Sequence, residues 1–257
     1  MTNVGFTTCS LFITLALSIV AVSPAAADIE RIRGTAISSD GNVVFFEEHI
    51  VKYTSDRIAT MHTTYYDADF NQIGRLATDF SQGSQFGSYD FTDERLLYKD
   101  GARVMTDRIL IYSQKTAESG LREKIIQRES DQIVGQGFHP FIVSNLAKLA
   151  NGAVIPAKLV LPAQMDQYDV RIYQKAREND RIQIRIEMDN WFLRLFAPHV
   201  EVEYDIQTRQ LVSYRGVSVV ADASGKTIPI TVSYEYTKQR LLVSSESTAE
   251  STESESN

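Results

Sequence analysis

The sequence predicts a mainly β protein, in which a large antiparallel meander forms an open or half-closed barrel that one central amphipathic helix covers. Three observations lead to this fold class. Apolar and polar residues alternate with a period of two over most of 28–240, as in strands with one buried face. Turn sequences separate the runs without long crossovers, which favours antiparallel hairpins. Only the segment at about 138–150 has the helical period of about 3.6 residues.

The first 27 residues are predicted to be an export signal peptide. An apolar run at 11–22 leads into Pro24 and three alanines, which predicts cleavage after Ala27. No Lys or Arg precedes the run, so the start-methionine amine supplies the positive charge. The one cysteine, Cys9, lies in this segment, and we therefore expect a cysteine-free mature chain without disulfides. We expect export to the periplasm, with secretion as the alternative.

Alternating runs predict the strands of a single β domain over 28–243. The clearest run is 181–188, where every even position is apolar and every odd one is polar. The other predicted strands cover 43–54, 57–66, 72–80, 102–113, 168–176, 199–206, 210–220 and 227–237. Turn sequences that separate several of them are 39–41, 67–69, 99–101, 178–180 and 223–225.

The segment at about 138–150 is predicted to be the covering helix. Its apolar residues share one helical face, and they are Phe138, Phe141, Ile142, Leu146 and Leu149. Pro140 is compatible with the first turn, where no backbone N–H is needed, and Asn151-Gly152 supplies a left-handed end. We expect the apolar face to pack on the concave side of the sheet.

A long antiparallel sheet with a central covering helix, in an exported cysteine-free chain, is similar in layout to the unclosed β-barrel of the bacterial lipoprotein-localisation factors and related periplasmic lipid binders. The resemblance is one of architecture and includes no sequence motif. Lipocalin-type closed barrels are the alternative, although their helix usually follows the last strand. Here the predicted helix is central.

Two apolar segments supply the candidate ligand-binding residues. One is the helix face, and the other is 190–198, which is apolar on both strand faces. Such a segment is either buried on both sides or exposed to a partner or lipid; plain core filling is the alternative for both. The candidates are Phe138, Phe141, Ile142, Leu146, Leu149, Trp191, Phe192 and Phe196.

From these features we expect an exported, non-catalytic binding protein for a hydrophobic ligand such as a lipid or acyl chain, without a cofactor. The ligand would lie in a cavity between sheet and helix. The alternative is an envelope scaffold or interaction protein with a filled core. An apolar cavity of about 300 Å³ or more distinguishes the two, since smaller spaces seldom hold an organic ligand.

A metal-dependent hydrolase is a further, disfavoured alternative, centred on Glu47, His49 and His62. If Ser55-Asp56 forms a two-residue hairpin turn, the two histidines face each other and the carboxylate lies on the same face. This arrangement depends on the strand register, because a slip of one residue moves one histidine to the opposite face.

Charge and motifs exclude several other functions. The net charge is −7, of which four units come from glutamates in the tail at 244–257, so no basic face for nucleic acid is expected. This acidic Ser/Thr/Glu tail is predicted to be disordered. Asp67-Ala68-Asp69 resembles a calcium loop but lacks its glycine, and Gly225-Lys226-Thr227 lacks the first glycine of a phosphate loop. No transmembrane span is expected in the mature chain.

Overall fold

The computed structural model describes residues 28–194, 199–222 and 225–240. Within these ranges the protein is mainly β, as predicted: one sheet of 15 strands is accompanied by one central helix, α1 (Phe138–Ala150). The predicted signal at 1–27, the predicted tail at 244–257 and the candidate Phe196 lie outside the described residues.

The first arm of the sheet is a meander of eight strands, each antiparallel to the next. They are β1 (Asp28–Ser38), β2 (Val43–Thr54), β3 (Arg57–Tyr66), β4 (Gln72–Asp79), β5 (Ser88–Asp93), β6 (Tyr98–Val104), β7 (Arg108–Gln114) and β8 (Arg122–Gln127).

The second arm returns from the far edge to β1. Its strands are β9 (Gln132–Val134), β10 (Val154–Leu161), β11 (Asp166–Glu178), β12 (Arg181–Met188), β13 (Val200–Asp205), β14 (Leu211–Val217) and β15 (Pro229–Arg240). β15 pairs with β1, which joins the arms into one sheet whose edges are β8 and β9. α1 connects the parallel pair β9 and β10, and a one-turn helix, α2 (Trp191–Arg194), connects β12 to β13.

The sheet curls until its edges are close, but it is not closed. Only residues 128–131 join β8 to β9, and so short a connection spans at most about 17 Å. Side chains bridge the gap: Gln132 Nε2 donates to the Gln127 carbonyl at 2.8 Å, and Lys124 Nζ lies 2.8 Å from the Asp166 carboxylate. The described residues contain no backbone pairing of β8 with β9, so the barrel is open, as predicted.

Buried side chains form four clusters on the inner face of the sheet. The largest surrounds α1, where Ile142, Leu146 and Leu149 pack against β10–β13. Another joins β6 and β7 to β9 and β10 through side chains such as Ile111 and Val160. Each fully buried aliphatic side chain contributes about 1.5–3 kcal/mol, so these contacts hold the two arms together.

Local sequence predicted the most regular elements well. β12 covers the predicted run, because Ile182, Ile184 and Ile186 are buried while alternate residues face outward. α1 covers the predicted helix and ends as expected, with Gly152 at a φ of +85° and its N–H donating to the Leu149 carbonyl at 2.9 Å. β1, β5, β8, β9 and β10 lie outside the predicted runs.

The predicted turn at 99–101 is wrong, and so is the single strand predicted over 102–113. Gly101 lies inside β6, where an added Cβ would collide with Tyr112 and with the Tyr89 carbonyl. The glycine therefore permits close approach of side chains rather than a turn. The actual turn divides the predicted strand, with the Met105 N–H donating to the Arg108 carbonyl at 2.9 Å.

Candidate functional site

The predicted metal set of Glu47, His49 and His62 is not formed. The two-residue turn at Ser55-Asp56 is present, but a β-bulge beyond it shifts the register of β2 and β3 by one residue. Thr63 consequently faces His49 inside the sheet, whereas His62 is exposed on the outer face. No group of three or more His, Cys, Asp or Glu residues in the described part of the chain is placed to hold a metal.

The candidate residues on α1 lie in the core. Ile142 and Leu149 are fully buried and Leu146 almost so, while Phe138 and Phe141 are partly buried against the same cluster. The opposite face of α1 is open to solvent at Ser144, Ala147 and Lys148. α1 is thus a cover with one buried face, and its apolar side chains occupy the space where a ligand was expected.

The candidates on α2 are at the surface instead. Trp191, Phe192 and Leu193 are 68%, 54% and 41% exposed, and we call these three residues the apolar tip. The Asn190 side chain holds the turn by accepting a hydrogen bond from the Phe192 N–H at 2.9 Å. The Trp191 and Phe192 rings meet edge to face with centroids 6.0 Å apart. The two predicted aromatic groups therefore do not converge on one cavity.

A buried polar network lies at the N-terminal end of α1, and the sequence patterns did not reveal it. Thr78 Oγ1 donates to Gln136 Oε1 at 2.6 Å, and Gln136 Nε2 donates to Thr63 Oγ1 at 2.9 Å. His49 Nδ1 is 2.7 Å from Thr63 Oγ1, and its Nε2 is 3.2 Å from Glu47 Oε1. These contacts join β2, β3 and β4 to the turn that precedes α1. The network anchors the helix to the first arm.

The Glu47 carboxylate is accommodated by a glycine on the neighbouring strand. Gly34 is paired with Glu47, and a Cβ at Gly34 would lie 2.6 Å from Glu47 Cγ. Glu47 Oε1 and His49 Nε2 are buried and lack hydrogen-bonding partners, so the 3.2 Å contact between them is not aligned as a hydrogen bond. Both atoms are shielded from solvent. The pair is therefore not presented to a substrate in this conformation.

His139 anchors the same end of α1 to the second arm. Its Nδ1 is 3.0 Å from the Tyr204 hydroxyl, and the two rings stack with centroids 5.7 Å apart. Burial, with a smaller contribution from the charge of His49, lowers the pKa of His139 to about 4. His139 is consequently neutral at pH 7.

Other buried ionisable groups face the same interior. Burial, followed by the negative charge of Glu47, raises the pKa of Tyr214 to about 12 and that of Tyr234 well above its usual value. Burial also raises the pKa of Asp100 to about 6, although a hydrogen bond from the Tyr98 hydroxyl at 2.7 Å acts in the opposite direction. The tyrosines therefore stay protonated and act as donors in the interior.

Two hollows of the described surface are open and carry charged linings. The larger, of about 640 Å³, lies at the turn between β11 and β12 and includes Arg177, Asp180 and Glu203. The smaller, of about 240 Å³, lies on the outer face near Leu110 and includes Lys99 and Arg103. Neither is the enclosed apolar cavity that the ligand-binding hypothesis expected.

No known protein-family model matches the chain, and no curated protein matches it in sequence. Within the ranges that the structure covers, no helix has the length and apolar character to cross a membrane. Function has to be inferred from the arrangement of side chains.

Proposed function

We propose that the protein is an exported, non-catalytic binding protein that contacts a hydrophobic ligand, a lipid or acyl chain, through the apolar tip rather than in an interior cavity. The observation that carries the proposal is the exposure of Trp191, Phe192 and Leu193 together on one turn of helix. Large exposed apolar groups of this kind are typical of surfaces that contact a partner or lipid.

The geometry of the tip favours a deformable apolar partner. Consecutive residues of an α-helix are separated by about 100° around its axis, so three of them point over roughly 200°. A rigid flat surface touches two of these side chains at most, whereas lipid chains surround all three. Trp is also typical of the lipid–water interface, because its ring is apolar and its N–H is polar.

Binding through the tip is expected to be weak and reversible. Full burial of an apolar side chain of this size is worth about 1.5–3 kcal/mol, and each of the three is only partly exposed, so each contributes roughly 1–2 kcal/mol. Arg194 adds little attraction for anionic lipids, because its guanidinium is 3.1 Å from the Glu187 carboxylate. Hydrophobic contact is therefore the main attraction.

The proposal is tested with the chain's single tryptophan as the probe. Emission from Trp191 should shift to shorter wavelength when oleate or lysophosphatidylcholine is added, because the indole leaves water. Phe192→Ser should weaken this binding about tenfold, as expected for the loss of about 1.4 kcal/mol. The control is Val154→Ser, at a residue 60% exposed at the start of β10. An unchanged Trp191 spectrum, or equal weakening by both variants, would refute the proposal.

An envelope interaction protein is the second candidate function. It is supported by the packing of Ile142, Leu146 and Leu149 into the core, which leaves the inner face around α1 occupied by the protein's own side chains. In that case the tip contacts another protein, and neither lipid probe changes the Trp191 emission.

A further inference from the structure

The exposed apolar residues are concentrated at one end of the sheet. In an antiparallel meander, consecutive connections alternate between the two ends of the strands. The connection that carries the apolar tip shares its end with those after β1, β3, β5, β7, β10 and β14, as the strand registers show. We call this end the tip rim. The described residues of its connections are 39–42, 67–71, 94–97, 115–121, 162–165, 189–194, 199, 218–222 and 225–228.

Eight of the ten large apolar side chains that are exposed in the described ranges lie at this rim. They are Val43, at the start of β2, and Phe70, Leu97, Leu121, Trp191, Phe192, Leu193 and Val219, in the connections. The other two are Ile125, within β8, and Val154, at the opposite rim. Singly scattered exposed apolar residues are ordinary, but their concentration at one end indicates an interaction surface.

Two of these residues also have an unfavourable backbone conformation. Phe70 and Leu97 have φ angles of 64° and 52°, in the left-handed region where Gly, Asn and Asp are preferred. They are 69% and 60% exposed, so neither side chain is buried in the core. The Phe70 ring stacks on Phe46 with centroids 4.7 Å apart, and the faces and edges that remain are open to solvent. A bulky apolar residue at such a position makes the turn conformation less favourable and also places an apolar side chain in water. This combination supports a role in contacting something other than water.

The charges around the rim favour contact with a zwitterionic lipid surface over an anionic one. Its described connections contain seven acidic and four basic residues. Two of the basic ones, Arg95 and Arg194, pair with Asp93 and Glu187, and one of the acidic ones, Glu94, pairs with Arg75 on β4, so acidic residues remain in excess. The acidic residues are Asp40, Asp67, Asp69, Glu94, Glu118, Asp189 and Asp222. A negative rim is repelled by an anionic membrane and complements the outward-facing ammonium groups of zwitterionic lipids.

We propose that the whole tip rim docks on a zwitterionic phospholipid bilayer, with the apolar side chains of separate connections entering the interface together. This inference rests on the proposed function and extends it from three residues on α2 to both arms of the sheet. A membrane fits because it is fluid and broad enough to contact several separate loops at once. Small apolar contributions then add up to stable but reversible attachment.

The test uses vesicle flotation with phosphatidylcholine and a double variant, Phe70→Asn with Leu97→Asn. Both substitutions lie far from the tip along the sheet, and Asn tolerates the left-handed conformation. We expect vesicle binding to fall about 100-fold, roughly tenfold for each side chain. Stability in urea is compared for Leu97→Asn alone and should stay the same or rise, because Asn suits the left-handed backbone, whereas Phe70→Asn also loses the ring stack with Phe46. If Leu97 had a purely structural role, Leu97→Asn would lower stability and leave vesicle binding unchanged.

Controls distinguish the inference from the proposed function. Val154→Ser, at the opposite rim, should bind phosphatidylcholine vesicles like the wild type, and adding phosphatidylglycerol should weaken binding. If the double variant floats like the wild type while Phe192→Ser does not, the tip alone binds lipid and the docking of the rim is refuted. If the wild type fails to float but oleate still shifts the Trp191 emission, the inference fails and the proposed function stands. Concentration-dependent dimers without vesicle binding would assign the rim to self-association and refute the inference.

Discussion

Replacing His139 with Phe should remove a large part of the protein's sensitivity to acid. The pKa of His139 is about 4 in the folded protein, against about 6.5 for a free histidine. Because the folded pKa is the lower one, the unfolded chain binds more protons between these values. Stability is therefore fully present above about pH 6.5 and is lost as the pH falls toward 4.

The magnitude follows from the difference in pKa. At about 1.36 kcal/mol per pKa unit, the full loss is about 3 kcal/mol, and between pH 7.5 and 4.5 it is about 2.5 kcal/mol. His139→Phe keeps an aromatic ring against Tyr204 but removes its 3.0 Å hydrogen bond. At pH 7.5 the variant should consequently be less stable than the wild type by about 1–3 kcal/mol.

The assay is urea unfolding of wild type and variant at pH 7.5, 5.5 and 4.5, with His62→Asn as the exposed-histidine control. Groups other than His139 titrate in both proteins, so their contributions cancel in the difference. The stability gap should narrow toward acid pH and close or reverse near pH 4.5. A gap that stays constant with pH, or that narrows equally in His62→Asn, would refute the assignment of the acid-sensitive group.

Two further predictions concern buried carboxylates. Asp100→Asn should raise the free energy of unfolding at pH 7 by about 1–3 kcal/mol, because the pKa of Asp100 is about 6 in the folded protein and burial of the charged carboxylate opposes folding. The gain in stability should vanish below about pH 4, where the carboxylate is protonated in both states. Urea titrations at pH 7 and below pH 4 would show the difference. Gly34→Ala should cost about 1–3 kcal/mol or more, since the new Cβ lies 2.6 Å from Glu47 Cγ and 2.9 Å from Val232. Adding Glu47→Ala should recover part of that loss, and a loss that is unchanged in the double variant would contradict the proposed contact.

Local sequence patterns were sufficient to predict the elements whose residues follow a single periodicity. The alternation in β12 and the helical face of α1 both follow from which side chains must be buried, and their bounds were predicted from residues within the segment. Gly101 shows the limit of this approach. Asp-Gly is a common turn sequence, but here the glycine is needed because Tyr112 from the next strand crosses it.

The candidate sites depended more strongly on distant contacts. A bulge on the β2–β3 ladder moved His62 to the outer face and placed Thr63 opposite His49. Turn residues alone do not reveal such a bulge, because one extra residue several positions away reverses every later side chain. The alternation did place Glu47 and His49 together on one face, and the structure shows that this face is the inner one. Their contact with Gln136 needed the fold, since that residue is far along the chain.

The sequence by itself determined a mainly antiparallel β protein with one central helix, because burial of alternating or helical apolar residues is a local property of each segment. Only the tertiary structure decided whether each apolar surface packs in the core or contacts solvent. α1 packs with Ile142 and Leu149 inward, whereas Trp191 stays exposed at a rim that it shares with Phe70 and Leu97. Their gathering at one end depends on the order and direction of 15 strands. Strand pairing between residues far apart in the chain sets that order, and no local pattern encodes it.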